Sequence, residues 1–130
     1  MAPLHILLLE DIDDDAELIV ETIARAGIAA VVKHVRSEFT FLNALQQQRF
    51  DIVLVDFALP RFDGISAVRA SRLSHPDVPV ILISGVIGED LAAETRTIGV
   101  SDFVLKDRLD RLGPAIERCL PQSQASRHRR

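Results

Sequence analysis

Four polar stations follow four apolar runs in this chain, and between them they hold the parts of a phosphoryl-transfer site. Glu10-Asp11 follows the run from Leu4 to Leu9, Asp56 the run from Asp51 to Val55, Ser84 the run from Val78 to Ile83, and Lys106 the run from Asp102 to Leu105. A phosphoryl group in flight spreads negative charge over its oxygens, so its catalysis is mostly positioning and charge neutralisation. Three neighbouring carboxylates repel one another and repel a phosphate. A hard divalent cation removes both problems, and Mg²⁺ needs only two or three carboxylates and a backbone carbonyl because it keeps several waters. One carboxylate can then attack phosphorus to give an acyl phosphate. A lysine offers a point charge to the phosphoryl oxygens, and a hydroxyl on a glycine-flanked turn, here Ser84-Gly85, can donate to another oxygen.

Taken singly, each station has a plainer explanation. Asp56 can start a turn ahead of Pro60, Ser84-Gly85 can be a strand-to-helix turn, and Lys106 can be a solvated charge. Asp13, Asp14 and Asp15 read as N-cap and helix-dipole residues rather than metal ligands. The joint pattern outweighs these explanations. The apolar runs are short and rich in leucine or β-branched residues, as doubly buried parallel strands are. The carboxyl ends of such strands line one crevice, where ligands bind. His5, His34, His75 and His128 lack metal-ligand spacing and read as structural or surface residues. Cys119 reads as a small core filler near Ile116 and Leu120. No dinucleotide fingerprint or P-loop is present.

The elements that must position these groups alternate strand and helix five times. Asp13-Asp14-Asp15 opens the first helix, with Asp14 and Glu17 spaced as a capping box. Glu17, Glu21 and Arg25 mark its wet face, so Leu18, Ile19, Ile23 and Ala26 are expected inside, and Gly27 is a natural residue to follow the helix. Ala30 to Val35 is a second strand, interrupted by Lys33 and His34, which places it at a sheet edge. Ser37 caps a helix reaching about Gln48. A third helix ends about Leu73, a fourth runs from Glu89 to Ile98 with Gly99 after it, and a short last helix has Pro114 in its first turn and stops at Pro121. The fold expected is an α/β, flavodoxin-like three-layer sandwich: a five-stranded parallel sheet of order 2-1-3-4-5 with five helices and a crevice between strands one and three.

The 130 residues suit one domain, and 48% hydrophobic with 26% charged composition excludes a disordered or collagenous chain. Phe is the only aromatic, so the core must be aliphatic. A net charge of -4 argues against nucleic-acid binding. The lone Cys119 rules out an internal disulfide and suits a reducing compartment. The opening Met1 to Ile6 lacks the basic region of a signal peptide, and no apolar run reaches membrane-spanning length. The expectation is a cytoplasmic domain over 1–121 without membrane insertion, followed by a basic, disordered tail over 122–130.

With these residues in place, the chain resembles the receiver domain of two-component response regulators from Leu4 to about Leu120. The similarity rests on Leu8-Leu9-Glu10-Asp11, on Asp51 to Gly64 with Asp56 and Leu59-Pro60, on Ser84-Gly85, and on Asp102 to Lys106. The resemblance implies a bacterial phosphoprotein in which Asp56 accepts a phosphoryl group from a histidine kinase or histidine phosphotransfer protein. It implies Mg²⁺ held by Glu10, Asp11, Asp56 and the carbonyl of Ala58. It assigns Lys106 and Ser84 to the phosphoryl group, Ser84 and Phe103 to the switch, and the fourth helix, fifth strand and fifth helix to the partner-binding face. It implies no turnover enzyme beyond the domain's own phosphorylation and dephosphorylation.

The departures from that family's pattern are specific. Asp107 follows Lys106 where many receivers carry a cis-proline, so a trans bond is expected. Phe103 replaces a more familiar tyrosine and has no hydroxyl to bond. Ala58 and Val86, each two residues beyond a station, are apolar where polar side chains often place or exclude the hydrolytic water. No output domain follows, so the chain is either a stand-alone receiver or a piece of a longer protein. The alternatives are a phosphate-independent pseudo-receiver, which usually loses an acidic residue or the lysine, and an Asp-nucleophile phosphatase, which needs a second Asp where Ala58 stands. An FMN binder fits poorly, because Glu10 to Asp15 would repel phosphate without a metal.

Overall fold

The computed structural model describes residues 3–57, 64–85, 97 and 99–120. Its sheet comprises β1 (Leu4–Leu9), β2 (Ala30–Val35), β3 (Ile52–Asp56), β4 (Val80–Ser84) and β5 (Asp102–Leu105), all parallel, in the order β2-β1-β3-β4-β5. The described α-helices are α1 (Asp13–Arg25), α2 (Glu38–Gln47), α3 (Gly64–Ser74) and α4 (Leu112–Cys119), with a 3₁₀ turn over Lys106–Arg111 ahead of the last. Of the helix expected over Glu89–Ile98 only Thr97 is described, and it is helical; the rest lies outside the described residues.

Strand alternation divides the core between the two faces of the sheet. Leu4, Ile6 and Leu8 of β1, Ile52 and Leu54 of β3, and Ile81 and Ile83 of β4 meet Ala16, Ile19 and Ile23 of α1 and Leu112, Ala115 and Ile116 of α4. The intervening residues Leu7, Leu9, Val53, Val55, Val80 and Leu82 meet Phe41, Ala44 and Leu45 of α2 and Ala67 and Val68 of α3. Because successive strand side chains point to opposite faces, strands covered on both sides must be apolar over the covered length, which is why β1 from Ile6, β3 up to Val55 and β4 up to Ile83 read as unbroken hydrophobic runs, with the exposed His5 the one break in β1. β2 has only β1 beside it, and its residues alternate between partly buried and exposed until Val35. The interruption at Lys33 and His34 is thus the mark of an edge strand, as expected. Cys119 is partly buried against the core cluster that contains Ile116.

Local signals explain most boundaries. Ser37 caps α2: its hydroxyl accepts from the Thr40 amide at 3.2 Å, and the Thr40 hydroxyl returns a bond to the Ser37 amide at 3.2 Å. Gly27, with φ +80°, follows the α1 cap residue Ala26 and takes the left-handed conformation that glycine adopts without steric cost. α1 and α4 cross closely at Gly113, where an added Cβ would stand 2.7 Å from the Ala26 Cβ.

Two expectations for α1 are corrected. Its N-cap is Ile12, with no side-chain capping bond, so the Asp14–Glu17 capping box does not form. The first-turn carboxylates are used elsewhere: Asp13 accepts from Arg36 Nε at 2.6 Å and Asp15 from Lys106 Nζ at 2.9 Å. Ala26 is exposed at the helix end, and Leu18 is 48% exposed, rather than inside. Leu18 lies one residue, about 100° of helix rotation, from the buried Ile19, and the sheet-facing stripe of Ala16, Ile19 and Ile23 leaves it on the flank.

Candidate functional site

Strand register brings the polar stations together. Leu9 pairs with Val55 and Asp56 with Ile83, while Ser84 pairs with Leu105. Glu10 therefore leaves β1 beside Asp56, and Lys106 leaves β5 beside Ser84, all at the carboxyl edge of the sheet. Glu10, Asp56 and Ser84 are 0%, 2% and 3% exposed, an unusual depth for two carboxylates.

Glu10, Asp11 and Asp56 each present a carboxylate oxygen within 4.8 Å of the others. Lys106 faces them, its Nζ donating to Glu10 Oε1 at 3.0 Å, Asp15 Oδ2 at 2.9 Å and Asp56 Oδ2 at 3.4 Å. One ammonium thus offsets part of a larger negative charge. Burial, reinforced by a hydrogen bond with Asp56 and by that residue's charge, pushes the Glu10 carboxyl up to about 8 against the pull of Lys106. Burial alone would lower the Lys106 pKa, but its hydrogen bonds to Asp15 and Glu10 and the charges of Asp56 and Glu10 raise it, so it stays an ammonium.

Among the described residues, two buried carboxylate oxygens, Glu10 Oε2 and Asp11 Oδ1, have no hydrogen-bond partner. Buried polar atoms are rarely left so, because desolvation without a partner is costly. Hard oxygen donors, clustered, buried and unsatisfied, fit a divalent cation such as Mg²⁺. The Ala58 carbonyl expected to join them lies outside the described residues, as does Val86. Phe103 pairs with Leu82 in the register of β4 and β5 and is partly buried against the α2–α3 side of the core. Among the described residues there is no cis peptide, so the bond after Lys106 is trans as expected.

Sequence reading missed two residues of this neighbourhood. Asp15 reads, with its neighbours, as a helix-dipole residue, yet it makes the shortest of the three Lys106 contacts. Its place in the acidic run that follows Asp11 is its local signal. His34 donates from Nε2 to the Glu10 carbonyl at 2.7 Å, a contact between adjacent strands that residue spacing does not reveal.

The chain is similar to known proteins. The chain is 28% identical over 109 residues to a protein-glutamate methylesterase/protein-glutamine glutaminase of Rhodopseudomonas palustris, covering 82% of this chain and 30% of that protein. It is 31% identical over 81 residues to the response regulator receiver protein CpdR of Brucella abortus, covering 62% of this chain and 66% of CpdR. The chain thus spans less than two thirds of either relative. Among solved structures it is similar to the receiver domain of a Pseudomonas aeruginosa sensor histidine kinase that holds a magnesium ion in its active-site cleft, with TM-score 0.77, 26% identity, and 90% and 97% of the two chains covered. No helix of the described residues is long and apolar enough to cross a membrane. Residues 6–117 match the family described as the response regulator receiver domain, and a match that runs from within β1 to within α4 makes this chain a member of that family.

Proposed function

We propose that this receiver accepts a phosphoryl group on Asp56 from the phosphohistidine of a histidine kinase or histidine phosphotransfer protein. The observation that carries this reading is the buried Glu10–Asp11–Asp56 cluster, with two unpartnered oxygens, facing the Lys106 ammonium. Asp56 sits at the end of a central strand whose backbone pairs with β1 on one side and β4 on the other. One of its oxygens attacks phosphorus. The new P–O bond forms as the P–N bond breaks, and the electron pair of that bond returns to the imidazole. Lys106 offers the incoming phosphoryl oxygens a cation that needs no proton transfer, and its raised pKa keeps it charged throughout. Ser84, buried beside the site, donates its hydroxyl to another phosphoryl oxygen.

Glu10, Asp11, Asp56 and the Ala58 carbonyl would hold Mg²⁺, which when bound neutralises the carboxylates and draws charge from the phosphoryl oxygens. Output follows from Ser84 moving toward the phosphoryl group while Phe103 turns inward, changing the face made by β5, the last helix and the helix expected over Glu89–Ile98. The protein acts by this change of binding face rather than by turnover, as a cytoplasmic signalling domain over 1–121 with a basic tail over 122–130.

The test is intact mass after incubation with acetyl phosphate and Mg²⁺. The wild type gains one phosphoryl group and Asp56→Asn gains none. Unchanged rate and stoichiometry in the variant would remove Asp56 as the acceptor.

A further inference from the structure

The Lys106 ammonium has three protons and, among the described residues, three carboxylate acceptors, and the distances are unequal. Asp15 Oδ2 lies at 2.9 Å and Glu10 Oε1 at 3.0 Å, whereas Asp56 Oδ2 stands off at 3.4 Å. Lys106 is therefore drawn toward α1 and away from the carboxylate at the centre of the proposed chemistry. Asp15 belongs to the first turn of α1, is 37% exposed at its side chain, and is not one of the clustered carboxylates suited to a cation. When Glu10 turns to a cation and Asp56 carries a phosphoryl group, Asp15 is the one of the three acceptors with no other task.

We propose that Asp15 is a positioning residue for Lys106, a latch that holds the ammonium on the α1 side of the cleft and must release it when a phosphoryl group arrives. This rests on the reading of Asp56 as the acceptor. The latch lowers the availability of Lys106 to the incoming phosphoryl oxygens, so it slows phosphorylation. It also ties the first turn of α1 to the chemical state of the cleft. Before transfer, α1 and the segment after β5 are joined through the Asp15–Lys106 pair; after transfer that joint loosens. Asp14 supplies the natural control, because it is exposed, carries the same charge in the same turn, and makes no Lys106 contact.

The experiment compares the wild type, Asp15→Asn, Asp14→Asn and Asp56→Asn. Phosphorylation by acetyl phosphate and Mg²⁺ is followed by mass, and the Lys106 ammonium is followed by ¹⁵N NMR. A partly exposed ion pair of ordinary strength corresponds to a rate about five-fold faster in Asp15→Asn. That gain should shrink as salt is raised. Asp14→Asn should stay within about two-fold of wild type and leave the Lys106 resonance in place, while Asp15→Asn shifts it. Equal acceleration in both asparagine variants would reduce the effect to general charge and overturn the latch, as would an unmoved Lys106 resonance or a rate in Asp15→Asn at or below wild type. If the wild type itself gains no phosphoryl group, or Asp56→Asn gains it undiminished, the Asp56 reading fails. The NMR comparison then still decides whether Asp15 positions Lys106.

Discussion

Adding Mg²⁺ should stabilise the domain by an amount that depends on pH in a predictable way. Without a cation, the Glu10 carboxyl, pushed up to about 8, keeps its proton at neutral pH. A cation that uses Glu10 must displace that proton. Each pH unit below about 8 adds about 1.4 kcal/mol to the displacement, so the midpoint Mg²⁺ concentration should rise about ten-fold per unit as pH falls from about 8 to about 6. Above about 9 it should level off. At ten times the dissociation constant, binding adds about 1.4 kcal/mol of stability, a Tm rise of roughly 5 °C for a domain of this size. The metal-free protein should move the other way. The Glu10 pKa is raised above its ordinary value of 4.5, so the folded state binds more protons than the unfolded chain between about 4.5 and about 8. Its contribution to stability therefore falls as pH rises through that window. Thermal melts over a grid of pH and Mg²⁺, with Ca²⁺ and high NaCl as controls, measure both trends, and Asp11→Ala should remove most of the metal effect. A midpoint that stays constant from about pH 6 to about pH 9 would refute the displaced proton. No shift at any concentration would refute the cation site itself.

Gly113→Ala should lower stability by about 1–3 kcal/mol in urea unfolding although alanine favours helix, because its Cβ would stand 2.7 Å from that of Ala26; equal or greater stability would show that the helices can part there at no cost. Ser37→Ala should cost about 1 kcal/mol by the same assay through loss of the bond to the Thr40 amide, and a neutral result would assign α2's start to packing alone. Beryllofluoride should shift amide resonances between Gly85 and Leu109 more than those between Ser37 and Gln48, and equal or reversed shifts would contradict the proposed output face.

The sheet was legible in the sequence because its signals are local. Unbroken apolar runs mark strands covered on both faces, and the polar break at Lys33-His34 marks the edge. The residues at the strand ends followed from the same reading, since parallel strands put all their carboxyl ends on one side. Helix faces were read less well. Leu18 is apolar yet flanks α1, and periodicity cannot tell how wide a stripe the sheet will cover. The 3₁₀ turn over Lys106–Arg111 carries no apolar period and was not foreseen. Asp15 escaped notice because its bond to Lys106 joins residues 91 apart in sequence. A carboxylate in a first helical turn already has a sufficient local explanation, and only the three-dimensional path of β5 supplies the rival partner.

The edge strand has a reach beyond its own pairing. The Glu10 amide donates to the Val35 carbonyl at 3.0 Å, and the Glu10 carbonyl accepts from His34 at 2.7 Å, so both main-chain groups of a residue in the acidic cleft are moored to the rim of the sheet. A substitution at His34, or a foreign strand that tugged β2 out of line, would be felt first as a misplaced Glu10 carboxylate. In a mutational scan, such rim variants would score as failures of chemistry while remaining folded, and a search for contact points with upstream partners would count them wrongly as docking residues.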